Sequence, residues 1–288
     1  MFFFATKQSK MIVFPNAKIN LGLFVTEKRS DGYHNLETAF LPLPGLCDVL
    51  EVLPHSGKED HFSSSGLVVD GPFSDNLVGK AVQVLRAHTP LPPLNIHLHK
   101  KIPFGAGLGG GSADAAFMLK ALNRQFGLQL SRAQLEGLAV RLGADCPVFV
   151  ANRPVLARGI GDQFEPLDLD LAGWHLHLVV PGIHVPTTLA YSRIVPQKPK
   201  TPLKELLAKA PAHWRKLVNN DFEASVFKAH PEIAAIKEKM YHEGAIYAAM
   251  SGSGSAVYGL FRQPPALTWP ANCFVHNEPL YSNRPMEG

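Results

Sequence analysis

The sequence predicts an α+β fold in two domains. Three observations carry that reading. The first third of the 288-residue chain is dominated by β-forming runs. A strand, a glycine-dense loop and a helix follow one another in the middle, and a group of helices precedes a strand-turn-strand near the end. The length suits one large or two medium domains with a real buried core. No clean linker divides the chain. The boundary is set near residue 158, giving an N-terminal domain over 1–158 and a C-terminal domain over 159–288.

Met11-Ile12-Val13-Phe14 opens the first strand-like run. The ten residues before it are expected to be a dispensable extension. The leader from Met1 to Lys7 is apolar, but it is too short for a signal h-region and has no basic residue ahead of it. Residues 19–26 are β-rich, Ser30-Asp31-Gly32 marks a turn, and residues 36–43 form a second strand. Val49 to Leu53 is a short apolar run, and the polar residues 56–66 read as a loop or hairpin tip. Asp75-Asn76-Leu77 opens a helix through Val78, Ala81, Val82 and Leu85. Leu94-Asn95-Ile96-His97-Leu98-His99 alternates strictly, as a strand with one buried and one wet face does.

The glycine loop follows that strand directly. A helix is predicted from Ala113 to Phe126, with Gly127 as its C′ residue. Ser131 and Gln134 form a capping box for another helix, ending near Gly143. Val148-Phe149-Val150 and the run from Trp174 to Val180 read as strands, and residues 196–203 as an exposed loop. Helices are predicted around 203–209, 221–229 and 231–242. A strand-turn-strand follows, from Ala245 to Met250, Ser251 to Ser255 and Ala256 to Phe261. There is no internal repeat at solenoid spacing.

With 46% apolar and 18% charged residues the chain is globular rather than disordered. Its net charge of +4 is scattered rather than clustered, which argues against a nucleic-acid protein and suits an anionic substrate. Cys47, Cys146 and Cys273 are odd in number and far apart, with no Cys/His ligand spacing. Neither a zinc site nor a disulfide framework is indicated, and a reduced, cytoplasmic setting fits. No apolar run approaches the roughly 20 residues of a membrane span. The expected state is a monomer or weak homodimer, without a protein-held metal.

The segment Pro103-Phe104-Gly105-Ala106-Gly107-Leu108-Gly109-Gly110-Gly111-Ser112 carries the chemistry. Glycines this dense let the backbone turn its N–H groups toward a ligand. The helix that follows adds free N–H groups and a positive dipole end, so the segment suits a polyphosphate. Gly105, Gly107 and Gly110 match a dinucleotide fingerprint literally, but the alternating strand before them is unlike a doubly buried Rossmann strand. The acidic ribose partner expected some 20 residues on is also missing, the nearest acid being Glu136. No Gly-Lys-Ser/Thr follows, which excludes a Walker loop. Elsewhere, Lys18 and Asn20 share one face of a strand, and Asp145 is a carboxylate among small and apolar residues just past a helix end.

Together these stretches resemble the GHMP kinase superfamily. Pro15-Asn16-Ala17-Lys18-Ile19-Asn20-Leu21 looks like its first motif, the run from Pro103 to Ser112 like its second, and Met250 to Ser255 like its third. Asp31-Gly32-Tyr33-His34 and the run from Gly143 to Phe149 resemble the branch that phosphorylates a cytidine-diphosphate-linked polyol in isoprenoid precursor synthesis. The resemblance covers the chain from about Val13 to Phe261.

It implies a two-domain GHMP kinase-like fold with the active site in the cleft between domains. Asp145 would take the proton from the substrate hydroxyl. Lys18 would hold Asp145 ionised and neutralise charge on the transferring phosphoryl group. ATP would be held by Pro103, Gly105, Ala106, Gly107, Leu108, Gly109, Gly110, Gly111 and Ser112, with Asn76 and Lys100 also at the nucleotide. Mg²⁺ would accompany ATP, held mainly by phosphates and water. Asn20, His34, Thr187, Asp145 and the backbone near Ile160 would meet the substrate, with Tyr33 and Tyr191 on either side of the cytosine.

Two departures stand out. The segment after Phe261 is short and Pro-rich where a fuller helix is expected, and Arg158 has no role. The competing readings are another kinase of the superfamily (acting on mevalonate derivatives, homoserine or a sugar), an inactive binding protein on the same scaffold, and an NAD-dependent oxidoreductase.

Overall fold

The computed structural model describes residues 10–191 and 194–281. The leader read as a dispensable extension lies outside the described residues, apart from Lys10. In chain order the first elements are β1 (Met11–Val13), β2 (Asn16–Lys28), β3 (His34–Cys47), β4 (Val49–Pro54) and β5 (His61–Gly66). Then come α1 (Leu77–Arg86), β6 (Leu94–Lys100), α2 (Gly110–Gln125), α3 (Arg132–Val140) and α4 (Cys146–Ala151). The rest is β7 (Val155–Arg158), β8 (Gln163–Pro166), β9 (His175–Val180), α5 (Thr187–Tyr191), α6 (Leu203–Leu207), α7 (Trp214–Leu217), α8 (Glu223–Ala229), α9 (Pro231–His242), β10 (Tyr247–Met250), β11 (Val257–Phe261) and β12 (Phe274–Pro279).

The chain forms two compact units, each built from separate stretches. The first takes the segment ending at Ala17, Leu46–Ile102 and Gly109–Asn152. The second takes Lys18–Gly45, Pro103–Leu108 and the chain from Arg153 onward. The boundary expected near residue 158 falls within the second unit.

The first unit has a sheet in the order β1-β4-β6-β5, antiparallel except for the β5/β6 pair. The strict alternation of β6 buries Leu94, Ile96 and Leu98, as its period-2 pattern requires. Helix α1 buries Val78, Ala81, Val82 and Leu85 and packs on α2. Asn76 caps α1 by accepting from the Val78 N–H at 2.8 Å. The capping box of α3 is formed by Ser131 and Gln134. Gly127, at φ +58, takes the left-handed position after α2.

The second unit holds two sheets, β2-β3-β7-β8 and β10-β11-β9-β12. One of its cores gathers Leu23 and Val25 of β2, Val179 of β9, Phe222, Val226 of α8, Ile236 and Met240 of α9, and Met250 and Val257 of the C-terminal strands.

Several expectations differ from what is observed. Residues 148–150 belong to a helix, not a strand. A short apolar run fits either when it is buried on all sides, and Pro147 in the first turn favours the helix. Residues 61–66 form the edge strand β5 rather than a loop. Its ladder with β6 needs no apolar side chains, and Ser63 and Ser65 bond the rings of His97 and His99. Helix α2 starts at Gly110, three residues early, because a first turn tolerates glycine. The β7–β8 hairpin and the short helices α5 and α7 had no strong periodic signal. Residues 262–273 contain no helix, in keeping with their prolines, and β12 follows as the last strand, paired with β9.

Candidate active site

In the second unit, Lys18 and Asn20 lie on one face of β2, and both are buried. A buried ammonium is costly unless its protons find acceptors. Lys18 Nζ donates to Asn20 Oδ1 at 2.6 Å and to the Gly107 carbonyl at 3.0 Å. It also lies 4.9 Å from the centre of the Phe40 ring. Asn20 Nδ2 donates to Thr38 Oγ1 at 3.0 Å, which fixes the amide with its oxygen toward the lysine.

The same cluster holds the first part of the glycine loop. The Lys18 N–H donates to the Leu108 carbonyl, and the Ala256 N–H to that of Ala106. Ser251 Oγ donates to the Gly107 carbonyl at 2.9 Å and accepts from the Asn20 N–H at 3.1 Å. Two glycines are required here by close approach. A Cβ on Gly254 would lie 2.1 Å from Gly107 N, and one on Gly107, at φ +78, would lie 2.0 Å from the Ser251 carbonyl oxygen. The Ser251–Ser255 turn packs on the backbone of the glycine loop itself. Asn220 pins that turn by donating to the Met250 and Gly252 carbonyls.

The remainder of the glycine loop belongs to the first unit. Gly109 takes the left-handed conformation at the N-cap of α2, with φ +70, and Gly110, Gly111 and Ser112 make the first turn. The N–H groups of such a turn have no intrahelical acceptor. No acidic residue stands in the turn to compete for them. The start of α1, next to Asn76, is close by: a Cβ on Gly111 would lie 3.5 Å from Leu77 Cδ1.

Asp145 occupies the N-cap position of α4, half-buried, and its side chain makes no cap hydrogen bond. The next residue, Cys146, has its thiol buried. Burial pushes that thiol up to about 11, aided by the charge of Asp145 and opposed by Ser112. Helix α4 packs on α2, so the carboxylate expected as base and the first turn of α2 belong to one unit.

Lys100, expected at the nucleotide, has its ammonium buried on two carboxylates. Its Nζ pairs with Asp48 Oδ2 and lies 2.8 Å from Asp114 Oδ2. Asp48 Oδ1 accepts from the Lys101 and Ile102 N–H groups at 2.6 and 2.9 Å. One cation thus faces two carboxylates. Burial, only partly offset by Lys100 and reinforced by Asp48, pushes the Asp114 carboxyl up to about 7. Neither Asp48 nor Asp114 stood out in the sequence. An acid inside an apolar run, as in Leu46-Cys47-Asp48-Val49-Leu50, was the available signal.

The remaining expected substrate residues lie in the second unit. Tyr33 is exposed at the end of the Asp31-Gly32 turn, whose Asp31 accepts from the Tyr33 N–H at 3.1 Å. His34, at the start of β3, stacks on Tyr191 with ring centres 4.8 Å apart, and Tyr191 meets Phe222 edge-on. Thr187 opens α5, and its hydroxyl lies 3.3 Å from that of Ser253. The Ile160 N–H donates to Asp162. Arg158 pairs with Glu37 and Glu165, a structural task that accounts for it.

Comparison with known proteins assigns the class. The GHMP kinases N terminal domain matches residues 76–153, and the GHMP kinases C terminal matches residues 202–267. A 4-diphosphocytidyl-2-C-methyl-D-erythritol kinase of Parabacteroides distasonis is 53% identical over 88% of this chain and 93% of its own length. One from Bacteroides fragilis is 52% identical over 90% and 94%. The crystal structure of a 4-(cytidine 5'-diphospho)-2C-methyl-D-erythritol kinase superposes with a TM-score of 0.73 at 35% identity, covering 88% of this chain and 91% of that one. A homoserine kinase from Cytophaga hutchinsonii, 17% identical with a TM-score of 0.59, shares the fold. The chain belongs to the GHMP kinases and, within them, to the family of 4-diphosphocytidyl-2-C-methyl-D-erythritol kinases. Among the described residues no helix is long and apolar enough to cross a membrane.

Proposed function

We propose that the chain transfers the γ-phosphoryl group of ATP to the 2-hydroxyl of 4-diphosphocytidyl-2-C-methyl-D-erythritol, giving the 2-phosphate and ADP in the methylerythritol phosphate route to isoprenoids. The observation that carries this is the Lys18–Asn20–Gly107–Ser251 cluster, in which all three superfamily motifs meet. The names of the relatives specify the substrate.

The α2 first turn and the glycine loop receive the ATP phosphates, with Asn76 beside them. Asp145 accepts the proton of the substrate hydroxyl as its oxygen bonds to the γ-phosphorus. The bond from that phosphorus to the bridging oxygen breaks, and its electron pair leaves on ADP. Lys18 neutralises charge on the transferring group. Its ammonium is already oriented by Asn20 and the Gly107 carbonyl, so little reorganisation accompanies the transfer. His34, Tyr191, Tyr33, Thr187 and the backbone near Ile160 hold the cytidyl substrate. Mg²⁺ would supply charge neutralisation on the phosphates, held mainly by their oxygens and water. The setting that goes with this reading is a cytoplasmic metabolic enzyme, monomeric or weakly dimeric.

The test is a coupled ADP-release assay with the cytidyl substrate beside mevalonate, homoserine and galactose. Release with the cytidyl substrate alone is expected. Failure on it, or preference for a rival alcohol, overturns the assignment.

A further inference from the structure

The second unit contains a cavity of about 620 Å³ that none of the residues assigned above lines. Its size is that of a small-molecule site. One part of the wall is apolar, supplied by Phe24 of β2, Leu206 of α6 and Leu217 of α7. Lys198, Lys200 and Lys216, all exposed, line the same cavity. None of the three has an ion pair or side-chain hydrogen bond among the described residues, whereas nearby Lys204 and Lys237 are paired with Glu165 and Glu223. Asp221 is the one carboxylate of the described lining, and its Oδ2 is occupied by the Val25 N–H at 2.7 Å.

The cavity is also built on fixed backbone. The Gln197 N–H donates to the Val25 carbonyl at 2.9 Å. Leu23 exchanges hydrogen bonds with Asn219 and Asp221 at 2.8 and 2.9 Å. The lysine-bearing segments are thereby tied to β2, and the cavity needs no large rearrangement to receive a ligand. Three like charges around one cavity repel each other until an anion joins them. Ammonium groups act on phosphate as point charges, and three of them match the charge of a diphosphate.

We propose that this cavity binds an organic diphosphate with a short apolar tail, its head on Lys198, Lys200 and Lys216 and its tail against Phe24, Leu206 and Leu217. Titration calorimetry on the full chain tests this with isopentyl diphosphate, inorganic diphosphate and isopentanol, each with and without saturating ATP. Isopentyl diphosphate is expected to bind more tightly than inorganic diphosphate, isopentanol not to bind, and ATP to leave the binding unchanged. The combined variant Lys198→Ala, Lys200→Ala, Lys216→Ala should weaken binding at least about tenfold, the order expected for lost charge-assisted contacts. It should keep its ATP binding and basal turnover, which shows that it is folded. Absence of binding, binding that the variant retains, equal affinity for inorganic diphosphate, or displacement by ATP each overturns the proposal. The calorimetry needs no turnover, so its outcome is independent of the substrate assignment.

Discussion

Lys100 Nζ lies 2.8 Å from Asp114 Oδ2, with both side chains almost wholly removed from water. Asp48 completes the group on the other side of the ammonium. The triad joins the end of β6 to the second turn of α2, just below the glycine turn. Removing the cation leaves two buried carboxylates facing each other. Lys100→Met should therefore destabilise the chain by about 3–5 kcal/mol, the cost of breaking a buried ion pair from one side. Denaturant unfolding measures this, and a loss below about 1 kcal/mol would contradict the structural role.

The triad also gives stability a pH dependence near neutrality. The Asp114 carboxyl is raised from 3.8 to about 7, chiefly by burial. The folded state therefore holds this proton more tightly than the unfolded chain does. The contribution is fully present below about pH 4 and is lost as pH rises through about 7. Asp114→Asn keeps an acceptor for Lys100 and does not titrate. Its stability relative to the parent should rise from pH 5 to pH 8, and a difference that stays flat would remove Asp114 from the titrating group.

The Ser251–Ser255 turn and the glycine loop meet at backbone, with the Ser251 hydroxyl on the Gly107 carbonyl beside that contact. Gly254→Ala puts a Cβ 2.1 Å from Gly107 N, so one of the two backbones must move. A conformation forced in this way costs on the order of 1–3 kcal/mol. The displaced loop should raise KM for ATP more than it alters KM for the cytidyl substrate. Steady-state kinetics with each substrate varied in turn checks the asymmetry, and unchanged ATP kinetics would show that the turn does not position the loop.

Asp145→Asn separates charge from shape. Asp145 makes no cap hydrogen bond to α4, so the helix start should survive the change. Loss of the base should lower kcat by about 10²–10⁴-fold, the usual worth of a positioned general base. Circular dichroism should match the parent. Near-normal turnover in a folded variant removes Asp145 from that role.

Strong local signals made much of this molecule legible. The alternation of β6, the Asn76 cap, the Ser131/Gln134 capping box and the Gly127 position each depend on a few adjacent residues, and each is observed. The Lys18–Asn20 face followed from the strand period, and the glycine loop from its density. The edge strand β5 was hidden because its pairing is made by backbone, and α4 because a six-residue apolar run has no period to read. Asp48 and Asp114 were hidden for another reason. Their importance comes from meeting Lys100 across 52 and 14 residues of chain, a separation that no sequence window spans.

Tyr191 stacks on His34 at 4.8 Å and makes a T-shaped contact with Phe222 at 4.7 Å, so its ring orientation is set before any base arrives. Tyr33 is 63% exposed and has no such ring contact among the described residues. If Tyr191 contacts the cytosine, its truncation removes both a stacking face and the packing that orients His34. Tyr191→Ala should then raise KM for the cytidyl substrate by about 5- to 150-fold, the range of 1–3 kcal/mol for base–aromatic stacking. KM for ATP should stay within about twofold. Tyr191→Phe keeps the ring and should restore near-parent KM, which a contribution from the hydroxyl alone would not do. Tyr33→Ala should produce the smaller effect of the two, because an exposed ring must first be ordered by the ligand it binds. Parallel KM measurements on the three variants decide the ranking, and a larger loss in Tyr33→Ala would make Tyr33 the principal stacking residue.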